Sequence, residues 1–140
     1  MLHIVIMDGQ GGQLGAQLVK EITAQFPNER ITAIGTNAVA TATMLKAGAK
    51  QAATGENPVI VACRKADVII GPIGVVIADA LLGEVTPAMA VAVGQADAVR
   101  ILLPMNKCEN LVAGVTSLNT AALIADAMAK LRAVMESRIS

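Results

Sequence analysis

The chain is 140 residues long, 54% hydrophobic and 16% charged, a scale on which one core serves roughly 100–200 residues. That balance excludes a disordered chain of the low-hydrophobicity, high-charge kind. Eleven lysines and arginines against eleven aspartates and glutamates give zero net charge, so there is no electrostatic case for a nucleic-acid or polyacidic partner.

Short apolar runs alternate with helix-period segments, without internal repeats or a linker. Leu2–Met7 is a buried-strand run that ends at Gly9. Leu14, Leu18, Ile22 and Phe26 then recur at helical spacing, and Pro27 and Asn28 end that helix. Ile31–Ile34 is the second strand, closed by Gly35, and Asn37 caps a helix running to Lys46 before Gly48. Gln51–Ala53 is a short third strand. Asn57 followed by Pro58 is a cap and a first-position proline for a helix to Ala66. Asp67–Ile70 is the fourth strand and opens into Gly71, Pro72, Ile73 and Gly74. Val75–Leu82 fits helix or strand equally. Thr86 and Pro87 repeat the cap-proline signal for a helix to about Ala96. Val99–Leu103 is the fifth strand, stopped by Pro104, and Leu111–Val115 a sixth. The last helix carries Ile124, Met128, Leu131 and Met135 on one face, with Asn119 as its cap.

This alternation predicts one α/β domain over residues 1–140, a doubly wound Rossmann-like parallel sheet of five to six strands in the order 3-2-1-4-5-6. Right-handed crossovers put helices on both faces. Ligands of such sheets bind outside the carboxyl ends of the strands where the order reverses, here at the loops after the first and fourth strands.

The first of these loops is glycine-rich. Gly9, Gly12 and Gly15 follow a G-x-x-G-x-x-G spacing, with Gln10, Gly11 and Gln13 between them. The first glycine suits a tight strand-to-helix turn, the second a close approach of ligand to backbone, the third close helix–sheet packing. The amides and the positive helix end attract an anion, most often a pyrophosphate. Gly12, Gln13, Leu14 and Gly15, with Leu18 and Val19 following, resemble the opening of the deoxysugar reductases among the extended short-chain dehydrogenases. That resemblance implies a dinucleotide-type site on the first half of the chain. The catalytic Tyr-x-x-x-Lys of those enzymes has no counterpart, because the chain has no tyrosine. The full string is also similar to a family of short bacterial proteins of unknown function, through the Asp8-to-Gly12 loop, the Gly71–Gly74 turn and the Pro104-to-Cys108 segment.

The expected ligand residues are therefore Gly9, Gln10, Gly11, Gly12, Gln13 and Gly15, with Thr36 and Asn37 after the second strand and Gly71, Pro72, Ile73 and Gly74 after the fourth. Gly35, Thr36 and Asn37 supply neither the acid that holds an NAD ribose nor the arginine that holds an NADP phosphate. The cofactor thus stays open between NAD, NADP and another nucleotide, and the same missing acid weakens a methyltransferase reading. Asp8 would repel a pyrophosphate unless it points away or holds a cation. Lys107 is the one basic residue on the carboxyl edge. Together with Asn106 and Cys108 it is the weak catalytic candidate, the thiol activated by the neighbouring ammonium.

Other residue types limit the chemistry further. One phenylalanine, no tryptophan and no tyrosine exclude base stacking, an aromatic cage and a tyrosine acid. Cys63 and Cys108 show no metal or disulfide spacing and are read as reduced thiols, Cys63 in the core. His3 falls on the edge opposite the glycine loop and is read as structural. Asp79 and Glu84 are assigned to capping or interface bonding. No signal peptide or membrane span is expected, and the compartment is the cytoplasm. Lys65 to Arg100 encloses a stretch without a basic residue, which predicts a covered surface and a homodimer. The leading expectation is a small nucleotide- or dinucleotide-binding protein without complete oxidoreductase machinery. The alternative is a non-catalytic oligomeric sensing or scaffolding module whose glycine turn is purely structural.

Overall fold

The computed structural model describes residues 1–105, 110–115 and 119–139. Strands β1 (His3–Asp8), β2 (Arg30–Gly35), β3 (Gln51–Thr54), β4 (Val68–Pro72) and β5 (Val99–Leu103) form one parallel sheet, ordered β3-β2-β1-β4-β5. Helices α1 (Gln13–Gln25), α2 (Ala38–Lys46), α3 (Glu56–Lys65), α4 (Pro87–Gln95) and α5 (Thr120–Ile139) cover it. The chain is thus a Rossmann-like α/β protein, with the order reversing between β1 and β4. No helix among the described residues is long and apolar enough to cross a membrane.

Strand alternation sorts the aliphatic side chains into two layers. Ile4, Ile6, Val68, Ile70 and Ile101 pack against Leu14, Leu18 and Ile22 of α1, Met44 of α2 and Met128 and Leu131 of α5. Val5, Met7, Ile34 and Ile69 face Val59 and Cys63 of α3 and Met89 and Val93 of α4. Each such fully buried side chain contributes about 1.5–3 kcal/mol. β1 is buried along its whole length, which is why its sequence is a continuous apolar run and not an alternating one. The single aromatic ring, Phe26, is buried where α1 ends, with the Arg132 guanidinium 4.9 Å from its centroid.

Three expectations change. The sixth strand at Leu111–Val115 is absent: Gly114 takes a left-handed φ of 86° and Val115 N–H bonds back to Val112 O, so the run turns instead of extending. Asn57 is not the cap of α3. Gly55, at φ 105°, precedes the first helical residue Glu56, which leaves Pro58 at the third position, where an amide still has no intrahelical acceptor. Gly71 and Pro72 continue β4, pairing with Leu102 and Leu103, and do not begin a loop. The undecided stretch is a short 3-10 helix, Ile73–Val76, followed by turns in which Asp79, Leu81 and Leu82 all have positive φ. The caps at Asn37, Thr86 and Asn119 form as expected, each side-chain oxygen accepting from the amide three residues on.

Gly71 is required by the meeting of β4 and β1, since a Cβ there would lie 2.2 Å from Met7 O. Gly71→Ala is expected to lower urea-measured stability by about 1–3 kcal/mol or more. Gly94, in the exposed last turn of α4 with nothing within 4 Å of a Cβ, is the control: Gly94→Ala should raise stability by roughly 0.5–1 kcal/mol.

Candidate functional site

At the end of β1 the chain must turn into α1 while its first helical amides still lack acceptors. Gly12 precedes the helix at φ 75° and carries no capping side chain. Asp8, 2% exposed, supplies the acceptor: its Oδ1 receives Gly9 N–H at 2.8 Å and its Oδ2 receives Gly15 N–H at 2.7 Å. Its carboxylate thus points into the loop and holds the helix start against the strand. Burial raises the Asp8 pKa and the Glu84 charge adds to this, while the bonds from Gly15 and Gly9 oppose it.

A second carboxylate closes the outer side. Glu84 Oε1 accepts from Gln10 N–H at 2.8 Å, from the Thr36 hydroxyl at 2.7 Å and from the Asn37 side-chain amide at 2.7 Å. Burial works against the charged form of Glu84, but these three bonds outweigh it and hold the carboxyl below its ordinary value. Asn37 also donates to Gln10 O at 2.9 Å, so the glycine loop, the end of β2 and the segment after the 3-10 helix are tied at one point. The segment is further anchored by Leu81 and Val85, both buried, while Leu82 between them is 95% exposed.

The structure therefore gathers Gln10, Thr36 and Asn37, which the sequence proposed as ligand residues, around an acid that the sequence reading assigned to capping or an interface. No spacing signal connects Glu84 to them, for it lies 74, 48 and 47 residues away along the chain. Gln10, Gly11 and Gln13 are exposed, and Gly9, Gly12 and Gly15 are buried. The amides of Gly11, Gln13 and Leu14 have no protein partner among the described residues. A Cβ at Gly12 would meet the Ala40 backbone at 2.8 Å, and one at Gly15 the Met44 sulfur at 2.6 Å. The close approach at Gly12 is thus to α2, while Gly15 lies against both α2 and, with Asp8 Cβ at 2.8 Å, the end of β1, the close helix–sheet packing expected of the third glycine. A Cβ at Gly9 would meet Thr36 Oγ1 at 2.5 Å and Leu81 Cδ1 at 2.7 Å. Gly71, Pro72 and Gly74 are buried and Ile73 half-buried.

Asn106, Lys107 and Cys108 lie outside the described residues. Cys63 is buried, its thiol pushed up to about 11 by burial, a value that leaves it protonated and unreactive at neutral pH. His3 sits at the opposite end of β1 from Asp8. Cavities of about 260 Å³ to about 540 Å³ open on other faces. None of them is lined by the glycine loop, Thr36, Asn37 or Glu84.

Fold and carboxyl edge together define the class, a Rossmann-like α/β protein with an acid-closed glycine loop. Residues 3–136 match the family described as "Domain of unknown function (DUF3842)", and the chain belongs to that family. No curated protein matches the sequence. Among solved structures, the chain is similar to a dodecameric FMN-dependent UbiX-like decarboxylase from Escherichia coli O157:H7. The identity is 19% and the TM-score 0.41, over 96% of this chain and 76% of that one.

Two predictions follow from the paired carboxylates. Asp8→Asn keeps one acceptor and turns an NH2 toward an amide donor, so it should cost about 1–3 kcal/mol at neutral pH in urea denaturation. For Glu84 the folded pKa is depressed, so its contribution is present above the unfolded value and lost as pH falls through the folded one. Wild-type stability should therefore drop more steeply than that of Glu84→Gln below about pH 4.5. Parallel curves for the two proteins would contradict the bonded carboxylate.

Proposed function

We propose that the protein binds a small anionic ligand of the nucleotide class at the carboxyl edge of β1, β2 and β4, with Glu84 holding the place of the anion until the ligand displaces it. One observation carries this proposal: a backbone amide, a hydroxyl and a side-chain amide from two strand ends converge on a single carboxylate oxygen at 2.7–2.8 Å. A turn that only reversed the chain would leave such donors to water; here they are arranged around negative charge. A phosphate brings the same charge and acceptors, and reaches in addition the amides of Gly11, Gln13 and Leu14 at the positive end of α1. Asp8 turns both its oxygens onto Gly9 and Gly15; its charge is already set against that of Glu84, so a ligand that takes the place of Glu84 replaces this repulsion and does not add a new one.

Displacement has a thermodynamic consequence. Apparent affinity falls by the fraction of molecules in which Glu84 has left the loop, so removing that carboxylate strengthens binding. Neither NAD nor NADP is favoured by the residues after β2, and the chain has no tyrosine to act as a catalytic acid. Hydride transfer is accordingly not part of the proposal. The setting proposed is the cytoplasm, with the chain acting as a homo-oligomer.

A second function has its own support. The approach at Gly12 is filled by α2 and that at Gly15 by α2 and Asp8, which suits a purely structural turn in a non-catalytic module, and Val61 of α3 and Val91 of α4 expose apolar surface for self-association.

A thermal-shift panel of AMP, ATP, NAD, NADP, FMN, UDP-sugars and S-adenosylmethionine separates the two, each protein compared with its own ligand-free melting point. Ligand at 100 times its dissociation constant stabilises by about 2.7 kcal/mol. At least one nucleotide should shift Glu84→Ala more than wild type. No shift in either protein, with a stable dimer in native mass spectrometry, would favour the structural module. Gly12→Val is unsuited to this test, since its side chain would strike the Ala40 backbone whether or not ligand binds there.

A further inference from the structure

The amino-terminal half of the sheet carries a second concentration of polar groups. α3 covers Val5, Met7 and Ile34 but leaves a groove of about 440 Å³ beside it, over β1, β2 and β3. Its charged lining is Arg30 at the start of β2 and Lys65 at the end of α3, with no acid among the lining residues. Both cations lack an ion-pair or hydrogen-bond partner among the described residues. The larger groove beside β5, about 540 Å³, differs in this respect. There Arg100 donates to the carbonyls of Val93 and Ala96, and Lys130 pairs with Asp126.

The floor of the β1–β3 groove is aliphatic, with Ile34, Ala53, Val61 and Ala62 among its lining residues. His3 lies at the charged end, directly across from Arg30 in the parallel register. Its Nε2 is 2.8 Å from Thr32 Oγ1, whose hydroxyl donates to Gln51 Oε1 at 3.0 Å, and its Nδ1 is 3.3 Å from Lys65 O. Both ring nitrogens thus face oxygens able to accept from an imidazolium. Burial holds the His3 pKa down first of all, and the Arg30 and Lys65 charges add to it. Asp67 and the Lys65 carbonyl act the other way, but the Asp67 carboxylate is already engaged by His3 N–H and Arg138.

We propose that this groove is a binding site for a small organic carboxylate, its head on Arg30 and Lys65 beside His3 and its short apolar body along the aliphatic floor. A carboxylate suits it better than inorganic phosphate, because a fully hydrated dianion gains nothing from an aliphatic lining, whereas a planar guanidinium matches a carboxylate's two oxygens. The volume is in the range of ordinary small-molecule sites, roughly 300–1,000 Å³.

The chain contains one histidine, so a single imidazole resonance reports on the groove. Hexanoate, titrated at constant ionic strength, should shift that resonance saturably, with a dissociation constant on the order of 1 mM, a range that a ligand of about eight non-hydrogen atoms reaches. Bound carboxylate should also raise the His3 pKa, since a neighbouring negative charge favours the imidazolium. The double variant Arg30→Gln, Lys65→Gln, checked for folding by circular dichroism, should weaken binding at least about tenfold, the effect of losing one charge-assisted bond. Unchanged binding by the double variant would overturn the proposal. So would equal shifts from neutral hexanol or from inorganic phosphate, or no saturable shift with hexanoate.

Discussion

Amides left over where β1 turns into α1 are the constraint that organises the carboxyl edge. A helix beginning at a glycine brings no side chain to cap itself, and the turn lies where three strand ends meet. The protein resolves this with two acids from distant parts of the chain. Asp8 reaches forward from the strand to the inner amides of Gly9 and Gly15. Glu84 comes from beyond β4 to the outer amide of Gln10 and takes the Thr36 and Asn37 donors with it. Those bonds also fix the segment from Ile77 to Val85, three of whose non-glycine residues stand at positive φ, a conformation that costs roughly 1–2 kcal/mol per residue. The proposed exchange of this acid for a ligand would free a segment that the acid now seats on the glycine turn.

The architecture was legible because apolar runs and caps are local. The four-residue recurrence of Leu14, Leu18 and Ile22, the cap at Asn37 and the Thr86–Pro87 start all reflect contacts within a few residues, and they appear where expected. Leu111–Val115 misled because composition alone resembles a strand, while Gly114 makes a turn. The segment after β4 was undecidable for a related reason: its form is set by Leu81 and Val85 entering the core and by Glu84 reaching the glycine loop, none of which periodicity records. The glycine spacing located the turn, but the neighbours of those glycines, Ala40 and Met44 of α2, become visible only in three dimensions.

The two edges of the sheet present their charges differently. At the carboxyl edge negative side chains sit on neutral donors, so the proposed ligand would compete with the protein's own carboxylate. In the groove at the amino edge the Arg30 and Lys65 side chains have no partner among the described residues, and the neighbouring Asp67 carboxylate is taken up by His3 N–H and Arg138. A chain of zero net charge thus separates its charge locally, and a neutral protein can present a field over part of its surface in this way.

The most direct measurement is the backbone amide of Gln10, followed by NMR against pH in the wild type and in Glu84→Gln. If the carboxylate occupies the loop in solution, that amide moves with a midpoint below an ordinary glutamate value in the wild type and stays still in the variant. It also loses the titration when a displacing nucleotide is bound. A Gln10 amide indifferent to pH in the wild type would show that Glu84 does not hold the loop, and the account of a ligand exchanged for an internal acid would be wrong.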